Sequence, residues 1–551
     1  MDSCIRIASI PLLGLLIACT KGGDLLAEED NFDPAHIVQV AIEMNSADWD
    51  QLRNQSRSFF SEFSGDCRQE PFQHPYSTFS AAITIDGESL PNIGIRKKGF
   101  IGSQSVEKPG LKINLDEYEE GVELFGTDNV TLNNSVQDPS LIRQCLSYSR
   151  YAAAGLPAPR CNFARVSMNG DDLGIYVHIE PIKRSMLRRN FGNDDGDLYE
   201  GTLSDFQTDW LPTFEPKTDD TDPSLSRIKS LTDALANGPK GIEAIEPHLD
   251  VEQTLSFLAL ENITAQWDGY AANQNNFYVY RDPSTDRFVF LPWGADGTLH
   301  PEAIEAPPFN ASALAKHILE DEELAGRLQE RIEQLFDTIW PEAELLAEVD
   351  RMEALLATEI DMAPHQEGIE GVRGFIEKRR DALIPQLPGT PPSELDGGAC
   401  MVEVGQLEAE FETTWGSLGS EELFESGSVD LSVTWEDENI PFVYTGAVSG
   451  INEEGVPMLV LGGIISEREG SVLIPYVTFD PKSIEPGVPV PIDFQGYTGG
   501  AVLYTDNNLG GELIQAGFMT DGEILFDTFE NSGGGTVKGM VDTSIYAWEA
   551  W

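Results

Sequence analysis

Carboxylate and amide side chains are concentrated in one stretch near the middle of the chain. Asp268 is followed closely by Asn273, Asn275 and Asn276, and Asp296 comes soon after. Phosphoryl transfer uses such groups, because one carboxylate positions the attacking hydroxyl while an asparagine and a second aspartate hold the Mg²⁺ that neutralises the phosphates. These residue types therefore indicate metal-assisted phosphoryl transfer.

The elements predicted around this stretch would bring its carboxylates together. Two apolar strands, 276–280 and 288–291, lie between Asp268 and Asp296. Pairing of these strands as a hairpin would return Asp296 to the neighbourhood of Asp268. The interval from Asp268 to Asn273 also equals the Asp-x-x-x-x-Asn spacing of a protein-kinase catalytic loop. The alternative is that these Asp and Asn residues only form turns, which both residue types favour.

The first part of the chain combines strands and helices. Alternating apolar residues predict four strands, over 38–44, 81–85, 94–98 and 111–115. Ser46 is the expected cap of a helix after the first strand. A helix over about 140–153 precedes a hairpin of 162–168 and 174–180, and helical periodicity begins near Val251. One face of a later helix carries Leu324, Leu328, Ile332, Leu335 and Ile339. We therefore predict an α+β domain over 38–387.

A proline-rich linker separates this domain from a different region. Pro388-Gly389-Thr390-Pro391-Pro392 cannot continue a helix, so a linker is expected over 388–405. Short apolar strands follow between glycine-rich turns, at 428–435, 458–461, 472–479 and 524–526. They predict an all-β domain over 406–551, a sandwich or a small barrel. Its aromatic residues are expected either to fill the core or to be exposed and stack on sugars; they include Trp415, Tyr497, Trp548 and Trp551.

The first residues have the pattern of a secretion signal. An apolar run over 7–18 ends at Cys19, and Leu16-Ile17-Ala18-Cys19 resembles the bacterial lipobox, whose cysteine is acylated. We expect a signal peptide over 1–19, a flexible tether over 20–37, and an exported lipoprotein anchored through Cys19 at the outer membrane or cell surface. The alternatives are a simple cleaved signal and a short membrane anchor, although the run is shorter than the ~20 residues of a spanning helix.

The charge balance and the cysteines restrict the environment of the protein. Asp and Glu number 93 against 35 Lys and Arg, a net charge of -58. Nucleic acid is therefore not an expected partner, because it is a polyanion. Apart from Cys4 and Cys19, the chain contains Cys67, Cys145, Cys161 and Cys400. Two disulfides are expected in an oxidising compartment, and three pairings are open.

Short motifs occur in a fixed order between residues 38 and 387. They are Gly94-Ile95-Arg96-Lys97-Lys98-Gly99, Lys108-Pro109-Gly110-Leu111-Lys112, Leu132-Asn133-Asn134, Asp138-Pro139-Ser140, Gly174 to Glu180, Asp197 to Glu200, the stretch from Asp268 to Asp296, and Phe375 to Arg380. This ordered set resembles the CotH family, the atypical kinases first known from bacterial spore coats. The resemblance implies a kinase-like fold that uses ATP and Mg²⁺ to phosphorylate Ser or Thr of proteins.

The resemblance also implies roles for particular residues. Asp268 would be the catalytic carboxylate, Asp296 the main Mg²⁺ ligand and Asn276 a further metal or phosphate ligand. Lys108 or Lys112 would reach the nucleotide phosphates. The remaining assignment is Glu180, which would orient that lysine as an ion pair does in protein kinases. Solvent-facing strand residues are the alternative for both lysines, and a strand-end carboxylate is the alternative for Glu180.

One departure from the family pattern lies at the predicted metal site. Family members usually have Trp-Asp-x-Asp where this chain has Trp293-Gly294-Ala295-Asp296. Two functions are therefore considered: an exported kinase acting on a protein substrate at the cell surface or envelope, and an inactive surface scaffold whose β-domain binds a partner. A third, a carbohydrate-binding or envelope-associated role, would use the exposed aromatics of the β-domain.

Overall fold

The computed structural model describes residues 31–65, 67–72, 74–387, 389, 400–418, 427–465, 471–492, 498–505 and 513–548. The predictions for Cys19, the signal peptide, Tyr497 and Trp551 lie outside these residues. The chain forms two compact units. The first contains the described residues up to Arg57 and from Arg68 to Gly389, and the second contains Ser58–Cys67 and the described residues from Cys400 onward.

A closed seven-stranded barrel opens the first unit. Its strands follow the order β1-β2-β3-β4-β5-β7-β6, and β1 closes the ring by pairing in parallel with β6. Alternate side chains, such as Ile93, Ile95, Leu111 and Ile113, fill the interior and are fully buried. The strands are β1 (Ile37–Glu43), β2 (Phe79–Ile85), β3 (Glu88–Lys98), β4 (Gly110–Asn114), β5 (Asn129–Asn133), β6 (Cys161–Met168) and β7 (Asp171–Ile179).

A second sheet of four strands follows in the same unit. Its order is β11-β10-β8-β9, and all its pairings are antiparallel. The predicted hairpin over 276–291 is present as β10 and β11. These two strands connect the segment that contains Asp268 to the segment that contains Asp296. The strands are β8 (Leu198–Gly201), β9 (Glu215–Pro216), β10 (Phe277–Asp282) and β11 (Arg287–Pro292).

The described part of the chain also contains twelve α-helices, and all but one of them lie in the first unit. The helices are α1 (Ser46–Asn54), α2 (Phe59–Phe63), α3 (Arg143–Ala153), α4 (Arg184–Phe191), α5 (Ser226–Asn237), α6 (Ile242–Ile245), α7 (Val251–Thr264), α8 (Tyr270–Asn273), α9 (Ala313–Glu320), α10 (Glu322–Ile339), α11 (Glu342–Leu356) and α12 (Gln366–Leu383). Of these helices in the described part of the chain, α2 alone belongs to the second unit. The predicted apolar face of α10 is buried. Among the described residues, no helix combines the length and the hydropathy needed to cross a membrane.

Two local predictions differ from the structure. The cap of α1 is Asn45, not Ser46, because the Asn45 side chain accepts the backbone N–H of Ala47 at 2.8 Å. The tether was expected to extend to residue 37, yet Phe32 is buried and stacks on the His178 ring with 4.5 Å between centroids. The folded part therefore includes residues before β1.

The second unit is built on one curled ten-stranded sheet. Its order is β14-β13-β12-β21-β20-β19-β17-β16-β15, with β18 paired to β20. It resembles a half-barrel, the shape nearer to the small barrel than to the sandwich among the two predicted alternatives. The strands are β12 (Met401–Thr414), β13 (Ser428–Trp435), β14 (Glu438–Asn439), β15 (Phe442–Ile451), β16 (Pro457–Ile465), β17 (Val472–Thr478), β18 (Val490–Ile492), β19 (Gly499–Thr505), β20 (Ile514–Phe529) and β21 (Thr536–Trp548).

The aromatic residues of the second unit differ in exposure. Trp415 is buried against Phe479 and Phe529, so it is a core residue and not a platform for sugars. Trp548 is 40% exposed and contacts Phe518 edge-on. Burial therefore excludes Trp415 from the aromatic residues that could stack on sugars.

Two disulfides settle the pairing that the sequence left open. Cys145 bonds to Cys161, within the first unit. Cys67 bonds to Cys400, 333 residues away, within the second unit. The second bond fixes Ser58–Cys67 to the start of β12.

Candidate active site

A tight turn after α7 presents Asp268. The turn begins at Ala265, whose φ of 50° places it in the left-handed region. Glu261, buried in α7, accepts the backbone N–H groups of Tyr270 at 2.7 Å and Ala271 at 2.8 Å. Gly269 is required here, because a Cβ would lie 2.3 Å from Glu261 Oε1. The fixed turn holds the Asp268 backbone in place.

Three amides surround the Asp268 carboxylate. Asn273 and Asn275 donate to Oδ1 at 2.7 and 3.1 Å, and Asn276 donates to Oδ2 at 2.7 Å. Burial raises the pKa of Asp268, these amide hydrogen bonds oppose the rise, and the nearby Asp296 charge adds to it. The Asn cluster of the sequence therefore serves to hold this carboxylate.

Asp296 lies in a 3₁₀ turn, Ala295–Gly297, directly after β11. It is buried, and Asn133 at the end of β5 donates to its Oδ2 at 3.2 Å. The same Asn133 amide donates to Gln144 Oε1 at 3.1 Å, while its Oδ1 accepts from Ser135 N at 2.9 Å. Asp296, at the end of the second sheet, thus contacts the barrel through Asn133 and lies near enough to Asp268 to raise its pKa.

The surroundings of Gly294 account for the absence of an acidic side chain at this position. Its φ of 51° is in the left-handed region, and an added Cβ would lie 2.2 Å from Asn276 Oδ1. Asn276 also donates to the Asp268 backbone carbonyl at 2.9 Å. In this chain Asn276 therefore occupies the space that a side chain at position 294 would need.

The lysines assigned from the sequence lie on the barrel next to this site. Lys108 is in the loop between β3 and β4, with Nζ 5.0 Å from the centroid of the Tyr176 ring, and burial lowers its pKa to about 8. Lys112 is on the outer face of β4. Burial, with the charges of Arg96, Lys217 and Lys183 acting in the same direction, lowers its pKa to about 7.

Lys98 is a site residue that the sequence analysis did not single out. Burial lowers its pKa, and the Asp296 carboxylate acts in the opposite direction. It pairs with Gly110 on β4, while its neighbour Arg96 pairs with Lys112. The sequence contained a signal for Lys98, because side chains alternate between the two faces of a strand. Ile95 and Lys97 are buried, so Arg96 and Lys98 share the opposite face.

Three cations on this face form no direct ion pair, although the Glu200 carboxylate lies near enough to raise the pKa of each. Among the described residues, the side chains of Arg96, Lys98 and Lys112 make no hydrogen bond or ion pair. By contrast, Lys217 bonds to Glu200 at 2.6 Å and to Glu215 at 3.0 Å. In a chain with a net charge of -58, a group of half-buried cations without direct ion-pair partners indicates a site for an anion.

Glu180 lies apart from these lysines. It is buried, and Arg160 donates to its Oε1 at 2.9 Å. Arg189 also bonds to both of its oxygens. The structure thus brings together Asp268, Asn276, Asp296 and Lys98, and it gives Glu180 two arginine partners.

Comparison with known proteins agrees with this assembly of motifs. Residues 93–383 match the family model described as CotH kinase protein. Inner spore coat protein H of Bacillus subtilis is 25% identical over 250 residues, which cover 41% of this chain and 68% of that protein. Two invasins of Rhizopus delemar also match: CotH2 is 30% identical over 202 residues, or 32% of this chain and 34% of the invasin, and CotH3 is 26% identical over 210 residues, or 35% of each. The chain thus spans about a third of the length of these invasins.

Proposed function

Because this chain belongs to the CotH family, we propose that it is an atypical protein kinase that transfers the γ-phosphate of ATP to Ser or Thr of exported or envelope proteins with the help of Mg²⁺. One observation carries the proposal: the carboxylates of Asp268 and Asp296 lie near each other, and Asp296 lies near Lys98 on the barrel face. Such a combination of acidic oxygens and half-buried cations suits a metal–polyphosphate ligand.

The donor set fits Mg²⁺ bound together with a nucleotide. Magnesium is held in kinases by one or two carboxylates plus substrate phosphates and water, rather than by a cage of protein ligands. Within the described ranges, no group of three or more His, Cys, Asp or Glu side chains could hold a metal alone. Asp296 and Asn276 are the residues that would hold the ion, which when bound would neutralise charge on the phosphates.

Asp268 is the group that would take the proton of the acceptor hydroxyl. A base works best when its pKa approaches the working pH, and burial raises the pKa of Asp268 from its ordinary value. Asn273, Asn275 and Asn276 keep its oxygens oriented by donating to them. Its position depends on the Glu261 contacts with the turn.

Lys98 and Lys112 are the residues that would bind the phosphates. Both lie on the outer face of adjacent barrel strands, and Arg96 lies between them across the hairpin. Asp296, the carboxylate proposed to hold the metal, raises the pKa of Lys98. Lys98 is therefore the closer of the two lysines to Asp296. Lys108 would approach from the loop that joins these strands.

The first test is the Asp296→Ala variant. It should lose incorporation of radiolabelled phosphate into an acceptor protein and should lose the thermal stabilisation by Mg·ATP, because a ligand bound only by the folded state raises the melting temperature. Asp381→Ala, which changes an exposed carboxylate of α12, is the matched control and should keep both. Unchanged labelling in Asp296→Ala would exclude the assignment.

A second function, an inactive scaffold with a recognition role for the β-domain, has one observation in its favour. The Asp268 oxygens already accept three amide hydrogen bonds, and the acidic residue usual in the family is replaced by Gly294. Absence of any stabilisation of the wild type by saturating Mg·ATP would favour this function over the kinase.

We also propose that the protein is exported and anchored to a membrane through a lipid on Cys19. This rests on the lipobox-like sequence alone. Metabolic labelling with a radioactive fatty acid should mark the wild type, and Cys19→Ala should abolish both the label and recovery in the membrane fraction. Labelling of the variant would contradict the proposal.

A further inference from the structure

The loop between β3 and β4 is held from two sides. On the barrel side, Asn134 Nδ2 donates to the carbonyls of Ser103 and Lys108, at 2.9 Å each. On the opposite side, residues 55–57 and the described residues 72 and 74–76 hold it. These two short stretches are named here the outer clamp.

In the outer clamp, Arg57 makes the central contacts, and its main partner in the loop is Gln104. The Gln104 side chain accepts from the Arg57 backbone N–H at 2.7 Å and donates to its carbonyl at 3.0 Å. The Arg57 guanidinium lies 4.8 Å from the centroid of the Phe100 ring, and Tyr76 donates to the Gly99 carbonyl at 2.9 Å. Both ends of the loop's first turn are thereby fixed.

The outer clamp also reaches the charged groups near Lys112. The Arg57 guanidinium lies 3.4 Å from His74 Nδ1, and His74 Nε2 lies 3.3 Å from Glu215 Oε2. Glu215 in turn binds Lys217. A displacement of the clamp would therefore change both the loop that carries Lys108 and the electrostatics around Lys112.

The two stretches of the clamp are the ends of one excursion of the chain. Between them, Ser58–Cys67 belongs to the second unit. There Phe60 contacts Tyr546 edge-on with 4.2 Å between centroids, Ser64 forms a bridge with Met401, and Cys67 is bonded to Cys400. Arg57 of the clamp directly precedes this anchored segment, and residues 68–71 join its other end to Phe72.

We propose that Arg57 and Gln104 are positioning residues for the β3–β4 loop, and that the β-rich unit controls them through the anchored segment Ser58–Cys67. The inference rests on the proposed function, because it assigns the regulation of that same phosphate-binding site. The state of the β-rich unit, set by a bound partner or by the Cys67–Cys400 bond, would thus alter the nucleotide affinity.

The test compares variants of the full chain by hydrogen exchange and kinetics. Cys67→Ser/Cys400→Ser should increase the exchange of residues 99–109 several-fold and raise KM for ATP several-fold, with kcat within about twofold, since the loop binds but does not react. Gln104→Ala should do the same, and the triple variant should show no further increase, because both changes act on one clamp. Cys145→Ser/Cys161→Ser, which removes the other disulfide, is the control for lost stability and should leave exchange in 99–109 unchanged.

A milder variant covers the case in which the disulfide variant does not fold. Phe60→Ala keeps the bond but loosens the anchored segment, so exchange in 99–109 should rise in the same direction. Unchanged exchange in Phe60→Ala and in the disulfide variant, with increased exchange in Gln104→Ala, would overturn the inference. Hydrogen exchange can be measured whether or not the protein is an active kinase. If the protein neither binds ATP nor phosphorylates an acceptor, the proposed function is refuted, and the exchange data still decide whether the β-rich unit controls the β3–β4 loop.

Discussion

The charge of Lys112 depends on its neighbours. Burial lowers its pKa to about 7, with Arg96, Lys217 and Lys183 acting in the same direction and Glu200 opposing them. A lysine with a lowered pKa is protonated below that value and loses its charge as the pH rises through it. The cation that would meet the phosphates is therefore lost within the physiological range.

Nucleotide affinity should accordingly weaken as the pH rises. From about pH 6 to about pH 8, the dissociation constant for Mg·ATP should increase roughly tenfold, as expected for one group that must be protonated with a pKa near 7. Titration calorimetry would measure this. Lys112→Arg should flatten the profile, because arginine stays charged. Lys229→Arg, on the exposed surface, should keep it. A flat profile in the wild type would contradict the role of Lys112.

A second prediction at the residue scale concerns the stability of variants at Gly294. Gly294→Ala should destabilise the first unit by about 3 kcal/mol, since it combines a left-handed backbone with a Cβ 2.2 Å from Asn276 Oδ1. Urea denaturation would measure the change. Gly326→Ala in α10 is the matched control: its Cβ meets nothing within 4 Å, so stability should rise by about 1 kcal/mol. A neutral Gly294→Ala would show that Asn276 can move aside.

Among the elements, the pair α7 and α8 determines where Asp268 lies. Helix α8 spans only Tyr270–Asn273, too short to be stable alone, and the Glu261 side chain caps its first N–H groups. The turn thus depends on a residue from the preceding helix. Its rigidity comes from a tertiary contact rather than from helix propensity.

Loss of this cap should disturb both stability and catalysis. Glu261→Ala leaves two buried N–H groups without an acceptor and should cost about 3 kcal/mol. If the kinase proposal holds, kcat should fall as Asp268 moves. Glu243→Ala, an exposed residue of α6, should change stability by less than about 0.5 kcal/mol. Thermal denaturation of both variants would measure the difference, and equal stabilities would remove Glu261 as the organiser of the turn.

At the scale of the whole molecule, the dominant feature is mutual repulsion of acidic groups. With 93 acidic residues against 35 basic ones, added salt should screen more repulsion than attraction. Raising NaCl from about 0.05 M to about 0.5 M should therefore raise the melting temperature. A fall would mean that the surface ion pairs outweigh the repulsion.

The arrangement of the chain in two units also belongs to this scale. The second unit is not a simple C-terminal addition, because it includes Ser58–Cys67 from the first part of the chain. Domain truncation near residue 388 would therefore leave Cys67 without its partner Cys400. Experiments that need an intact clamp require the full chain.

Local patterns were sufficient for most elements and for the centre of the site. Alternation predicted β1 to β4 and β13, helical periodicity predicted α10, and the hairpin of β10 and β11 placed Asp268 and Asp296 at one end of the sheet. These features depend on residues close in sequence, and the family motifs follow the same order. The mixed helix and sheet composition and the β-rich C-terminal region could be recognised for that reason.

Contacts between distant residues could only be found in the tertiary structure. The closure of the barrel by β1 and β6, the pairing of Cys67 with Cys400 and the arginine partners of Glu180 join segments that no local pattern relates. Lys98 became a site residue only when the register of β3 and β4 fixed its face and Asp296 was brought near it. Periodicity specifies which side of an element is buried, whereas the partner of that side is decided by packing of the whole unit.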